Sequence, residues 1–244
     1  MPPAPGPRQP GREIDPLPLQ RLTPPGLDSV PLVAPGVLAG MIDPARSALL
    51  IIDVQADFAS PTGAMARMGA DLSGVPAALE RIAELIAAAR AAGTCLAFTR
   101  VITTADTEPG ALQRLNARKG LGPEAIAICR EGEPGGAYHQ VEPLPGEIEV
   151  TKRLYSAFHE TDLEVQLRAR GVETLVVAGF TTHCCVDATC RDAFHRDFNV
   201  FVVADATDAY ASETQLSALK VLYETCALVT DAASVLTAWS AAES

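Results

Sequence analysis

From residue 47 onward, short apolar runs alternate with stretches of helical periodicity, and this alternation narrows the fold more than any other feature of the chain. A short continuous apolar run suits a strand covered on both faces, and an amphipathic stretch suits a helix laid on such a sheet. The runs are SALLIID (47–53), TCLAFTRV (94–101), EIEVT (147–151), ETLVVAG (173–179), NVFVVAD (199–205) and CALVT (226–230). Six such runs predict an α/β fold, a six-stranded parallel sheet with helices on both faces.

The helical stretches carry start and stop signals. Val75, Leu79, Ile82, Leu85, Ile86 and Ala89 keep one stripe at helical spacing, with Pro76 in a first turn and Gly93 at a left-handed end. Thr161 with Glu164, and Ser212 with Gln215, fit capping boxes. After the fourth run, Val186, Thr189, Ala193 and Phe194 share a helix face. Residues 103–146, rich in Gly, Pro and charge, break the alternation and read as a functional loop, a lid or a subunit contact.

Twelve of the 19 prolines lie before residue 45, so residues 1–40 read as an arm and residues 41–244 as the folded domain. The start of the arm is expected to be disordered, and PLVAPGVLAGMI to lie against the body or a neighbouring subunit. Thirty acidic residues against 19 basic ones, a net charge of -11, exclude a general footprint for nucleic acid or anionic lipid. No run reaches the roughly 18 apolar residues of a membrane span, and the first residues lack the apolar core of a signal peptide. Six cysteines in 244 residues are too sparse for a disulfide scaffold. A soluble, cytoplasmic protein in a reducing compartment is expected.

In an open parallel sheet the binding crevice forms beyond the carboxyl ends of the strands. Polar residues there are Asp53, Lys152 and the cluster Thr181, Thr182, His183, Cys184, Cys185. Asp53 reads either as a cap or as a partly desolvated acid or base. Lys152 reads either as a solvated edge residue or as a charge that makes the crevice locally positive, compatible with an anionic substrate. A cysteine in the first turn of the helix after the fourth run meets free N–H groups and the positive helix end, which favour thiolate and can also hold an oxyanion. Cys95, Cys190 and Cys226 read as small buried hydrophobes, and Cys129 lies in the long loop without an assigned role.

Three segments, LLIIDVQADF, VTKRLYSAF and VVAGFTTHCCVDATCRDA, resemble in order and spacing the isochorismatase-like cysteine hydrolases, over residues 45 to 235. The resemblance implies a doubly wound sheet of six parallel strands in order 3-2-1-4-5-6 and an Asp-Lys-Cys triad at Asp53, Lys152 and Cys185. The pattern G-x-x-T-x-x-C-V, met by Gly179, Thr182, Cys185 and Val186, selects Cys185 over Cys184. It also implies oxyanion donors in the backbone N–H groups of Thr181 and Cys185, with a cis bond between Phe180 and Thr181.

Nicotinamidases of that family hold a metal through an Asp-x-His and a further His after the second strand. VITTADTEPG has no histidine, so neither a metal nor a cofactor is expected. Members that cleave isochorismate lack the cysteine. The arm, REGEPGG (130–136) and YSAF resemble members that act on biuret, ureidoacrylate and N-carbamoyl compounds. The expectation is a cysteine amidohydrolase cleaving a small linear amide or ureide through a thioester. A nicotinamidase-like hydrolase and a non-catalytic scaffold with a redox thiol are the alternatives. The resemblance further implies a homo-oligomer, dimer or tetramer. Phe58, Tyr155 and Phe158 are candidates for the substrate wall, with the Thr181 or Thr182 hydroxyl as a polar contact; ordinary packing is the competing reading. His183, two residues before Cys185, points away from it on a helix start, and His139, His159 and His195 show no metal-ligand spacing.

Overall fold

A computed structural model describes residues 19–20, 30–125 and 127–240; the start of the arm lies outside the described residues. A two-stranded antiparallel pair, β1 (Leu19–Gln20) and β2 (Leu32–Val33), precedes a short helix α1 (Pro35–Leu38). Val30, Leu32, Val33, Leu38 and Ile42 are buried, so PLVAPGVLAGMI packs on the body of the same chain.

Six parallel strands follow: β3 (Ser47–Ile52), β4 (Cys95–Val101), β5 (Ile148–Lys152), β6 (Thr174–Phe180), β7 (Asn199–Asp208) and β8 (Leu228–Thr230). Each covers or abuts one of the six apolar runs, and their order is β5-β4-β3-β6-β7-β8, as the resemblance implied. The helices are α2 (Ala56–Ala59), α3 (Ala64–Arg67), α4 (Val75–Ala91), α5 (Gly110–Arg118), α6 (Leu163–Ala169), α7 (Asp187–His195), α8 (Ser212–Thr225) and α9 (Ala232–Ser240).

Strand period two sorts the core. Ala48, Leu50 and Ile52 of β3 point to one face with Leu163, Leu167, Cys190, Ala193, Leu219 and Leu222 of α6, α7 and α8. Leu49 and Ile51 point to the other, among residues of α1, α4 and α9. Burial on both faces is why these runs are continuously apolar. The edge strand β5 differs: Ile148, Val150 and Lys152 are buried while Glu149 and Thr151 are exposed. Alternation therefore carries Lys152 to the same face as α6, α7 and α8.

Helix α4 buries every residue of the predicted stripe, with Pro76 in its first turn and Gly93 at φ +69° just beyond its end. Both predicted capping boxes are absent. The N-cap of α6 is Asp162; the Thr161 hydroxyl donates to the Ala157 carbonyl, and Glu164 pairs with Arg196. The N-cap of α8 is Ala211, and Gln215 Nε2 instead donates to the carbonyls of Ala204 and Thr207. In both, the acidic or amide member of the box, Glu164 or Gln215, is taken by a partner outside the helix. On α7, Phe194 is exposed and Cys190 takes its place in the core. Residues 103–146 contain α5 and two 3-10 turns, Pro123–Ala125 and Pro134–Gly136.

Strand order reverses between β3 and β6, whose carboxyl ends open the crevice. There Gly179, at φ +118°, lies so close to β3 that a Cβ would collide with the Ile52 backbone. This close approach brings the turn after β6 beside the end of β3.

Candidate active site

Asp53 follows directly on β3 and is fully buried, with φ +49°. Its N–H donates to the Thr99 carbonyl at 3.1 Å, and its own carbonyl accepts the Gln55 N–H at 2.8 Å. Both carboxylate oxygens are engaged: Oδ1 accepts the Thr99 hydroxyl at 2.8 Å and Oδ2 accepts Lys152 Nζ at 2.5 Å. Neither side chain of the Asp53–Lys152 ion pair reaches solvent.

Lys152 Nζ also donates to the carbonyls of Leu154 and Tyr155, each at 2.9 Å. Three acceptors match the three ammonium protons, so the expectation of a locally positive crevice is corrected: the charge of Lys152 is neutralised inside the protein. Burial pulls the Lys152 pKa down, but the Asp53 carboxylate, with the nearby Cys185 sulfur acting in the same direction, outweighs it and leaves the pKa raised.

Cys185 lies in a single π-helical turn, Thr182–Val186, that leads from β6 into α7. The turn opens after the cis peptide bond between Phe180 and Thr181. The Thr181 carbonyl accepts the N–H groups of Cys184 and Val186 at 3.0 and 3.2 Å. Contact with Cys184 and then burial raise the Cys185 thiol well above its ordinary value, with Asp53 acting in the same direction and Lys152 against it. The same contact lowers Cys184. Burial in dry surroundings thus opposes the thiolate that the turn and the helix end favour.

The remaining predicted residues divide. Tyr155 is partly exposed, and its phenol is raised first by burial and then by the sulfurs of Cys184 and Cys185. Phe58 is half-buried and its carbonyl accepts the Tyr210 hydroxyl at 2.7 Å. The Thr182 hydroxyl is buried against that of Thr207. Phe158 is corrected from wall to core: its ring packs on Phe198 at 5.8 Å with the Arg196 guanidinium 5.2 Å from its centre, and it is buried. His183 is exposed.

Several residues here carried no recognised signal. Gln55 is fully buried; its amide nitrogen donates to the carbonyls of Val101 and Gly136, and its oxygen accepts the Val101 N–H. Asp57 accepts the N–H groups of Ala64 and Cys129, tying α3 to the turn around Cys129. Polar residues spaced at 53, 55 and 57 after an apolar strand are the signal that could have found them.

A cavity of about 350 Å³ borders Lys152 at the carboxyl ends of β4 and β5, lined also by Ile102, Thr104, Thr107, Glu131 and His159. Neither Asp53 nor Cys185 lines it. A larger groove, about 840 Å³, lies at the opposite ends of the strands, near Ser47, Thr174 and Asn199, away from the triad. Among the described residues no three His, Cys, Asp or Glu side chains cluster in a metal-binding arrangement, and no helix is long and apolar enough to cross a membrane.

Comparison with known proteins agrees with this geometry. The chain is 39% identical over 183 residues to ureidoacrylate amidohydrolase RutB of Methylobacterium radiotolerans, covering 71% of each chain. It is 35% identical over 195 residues to the protein of the same name from Variovorax paradoxus, covering 71% of this chain and 77% of that one. Among solved structures it is similar to a cysteine hydrolase from Pseudomonas syringae pv. phaseolicola, at 29% identity and a TM-score of 0.70, covering 82% of this chain and 95% of that one. With the isochorismatase-domain family model matching residues 47–234, around the same six-stranded sheet, the chain belongs to the isochorismatase family.

Proposed function

We propose that residues 41–244 form a cysteine-dependent amidohydrolase that cleaves a C–N bond of a small linear amide or ureide, with Asp53, Lys152 and Cys185 as its triad. The buried Asp53–Lys152 pair and the buried Cys185, at the switch point of the sheet, are the observation that carries this reading. The relatives named as ureidoacrylate amidohydrolases support a ureide as substrate.

Asp53 takes the Cys185 thiol proton as Sγ attacks the carbonyl carbon and the C–S bond forms. Lys152 steadies Asp53 and offsets the charge developing on sulfur. The N–H groups of Thr181 and Cys185 hold the oxyanion. Collapse breaks the C–N bond, and the departing nitrogen takes the proton from Asp53. Water then attacks the thioester, giving its proton to Asp53, which returns it to Cys185. No cofactor enters the cycle. Tyr155 and Phe58 line the substrate, with Thr182 as a polar neighbour. The enzyme is a cytoplasmic homo-oligomer in this reading, a location supported by its six free cysteines.

The test is a screen of purified protein for ammonia release from ureidoacrylate, biuret, N-carbamoyl amino acids and simple carboxamides, with nicotinamide included. Turnover of a ureide, abolished in Cys185→Ala, is expected. No hydrolysis together with reversible peroxide oxidation of Cys185 would favour a redox scaffold instead.

A further inference from the structure

Thr99 sits in the middle of TCLAFTRV, inside β4, with no exposed surface. A buried hydroxyl needs a partner, and this one donates to the carboxylate of Asp53. The register sets Ile52 opposite Thr99, so Asp53 lies one residue past the pairing, where the Thr99 carbonyl still receives its N–H. One residue thus grips Asp53 at its backbone and at Oδ1, while Lys152 grips Oδ2 from two strands away. The carboxylate is held from both sides and its plane is set by the sheet.

We propose that Thr99 is a positioning residue for this site, holding the Asp53 carboxylate oriented so that it accepts the Cys185 proton. The proposal rests on the reading above only in taking Asp53 as that acceptor. A hydrogen bond from a hydroxyl to a carboxylate is charge-assisted and directional. A methyl group in the same place leaves Oδ1 dry and without that donor, so the carboxylate is no longer held from both sides.

The titratable groups facing Asp53 are Lys152 from β5, Cys184 and Cys185 from the turn after β6, and Cys129 and Tyr138 from the segment before β5. A Thr99 substitution alters none of them. It removes one hydrogen bond and keeps the charges.

The experiment uses Thr99→Val, close in shape and suited to a strand, and Thr99→Ser, which restores the hydroxyl. Iodoacetamide alkylation of Cys185, resolved from Cys184 by mass spectrometry, is followed against pH. In parallel, kcat and KM are measured against pH on the ureide the wild type hydrolyses. Thr99→Val is expected to slow alkylation of Cys185 and to lower kcat, each roughly tenfold, with little change in KM. Thr99→Ser is expected to return both to near the wild-type values. Unchanged alkylation and kcat in folded Thr99→Val, or an equal loss in Thr99→Ser, overturns the proposal. Should Thr99→Val fail to fold, Thr99→Ala is read by the same criteria. Alkylation needs no substrate, so a wild type that hydrolyses nothing would defeat the amidohydrolase reading while the alkylation profile still decides the role of Thr99.

Discussion

Lys152 Nζ donates to Asp53 Oδ2 at 2.5 Å across an intervening strand, with both side chains closed off from water. Such a pair is costly to bury and costlier to break, because removing one partner strands the other charge in a dry interior. Its presence at the crevice therefore ties the stability of the sheet to the chemistry of the site.

Asp53→Asn and Lys152→Met should each destabilise the fold by about 3–5 kcal/mol, read from urea denaturation. The double variant should recover most of that loss, since no buried charge then lacks a partner, yet remain inactive. Equal stability of the two single variants and wild type would contradict the geometry.

Alkaline pH should weaken the same pair. Lys152 holds its proton more tightly when folded, so its contribution to stability is complete below its unfolded pKa of about 10.4 and is lost as pH rises through the higher folded value. Urea midpoints of the wild type should fall toward those of the Lys152→Met variant as pH climbs past 10. Parallel curves over that range would show that the lysine is not held this way.

Cys185→Ala should lower kcat by about 10⁴-fold or more without unfolding the protein, whereas Cys184→Ala should retain turnover. Because contact with Cys184 raises the Cys185 thiol, Cys184→Ala should also speed alkylation of Cys185 at neutral pH. Loss of activity in the Cys184 variant alone would reverse the assignment of the nucleophile.

Gly135→Ala should loosen the turn before β5. A Cβ there collides with the buried carboxylate of Asp57, which holds the Cys129 N–H. A loss of about 1–3 kcal/mol and faster proteolysis near residues 127–138 are expected. Unchanged stability would mean that the carboxylate moves aside without cost.

The triad was legible because each member ends a strand signal. Asp53 and the Thr181–Cys185 cluster follow apolar runs that stop abruptly, and Lys152 continues the inward alternation of Ile148 and Val150. Phe158 was misplaced because an aromatic residue near a lysine loop reads equally well as wall or core, and only Phe198 and Arg196 resolve it. The opposing pull on the Cys185 thiol was hidden for a related reason: helix polarity is visible in a local pattern, whereas burial and the contact with Cys184 arise only when the turn is packed.

By itself, the sequence determined the six strands and the buried stripe of α4, because apolar periodicity is a property of neighbouring residues. Tertiary structure decided the hydrogen bonds that make these residues a site. Thr99 and Gln55 reach partners 46 and as many as 81 positions away, and Lys152 meets Asp53 across 99. Such pairings depend on strand register and loop closure, and no local spacing encodes them.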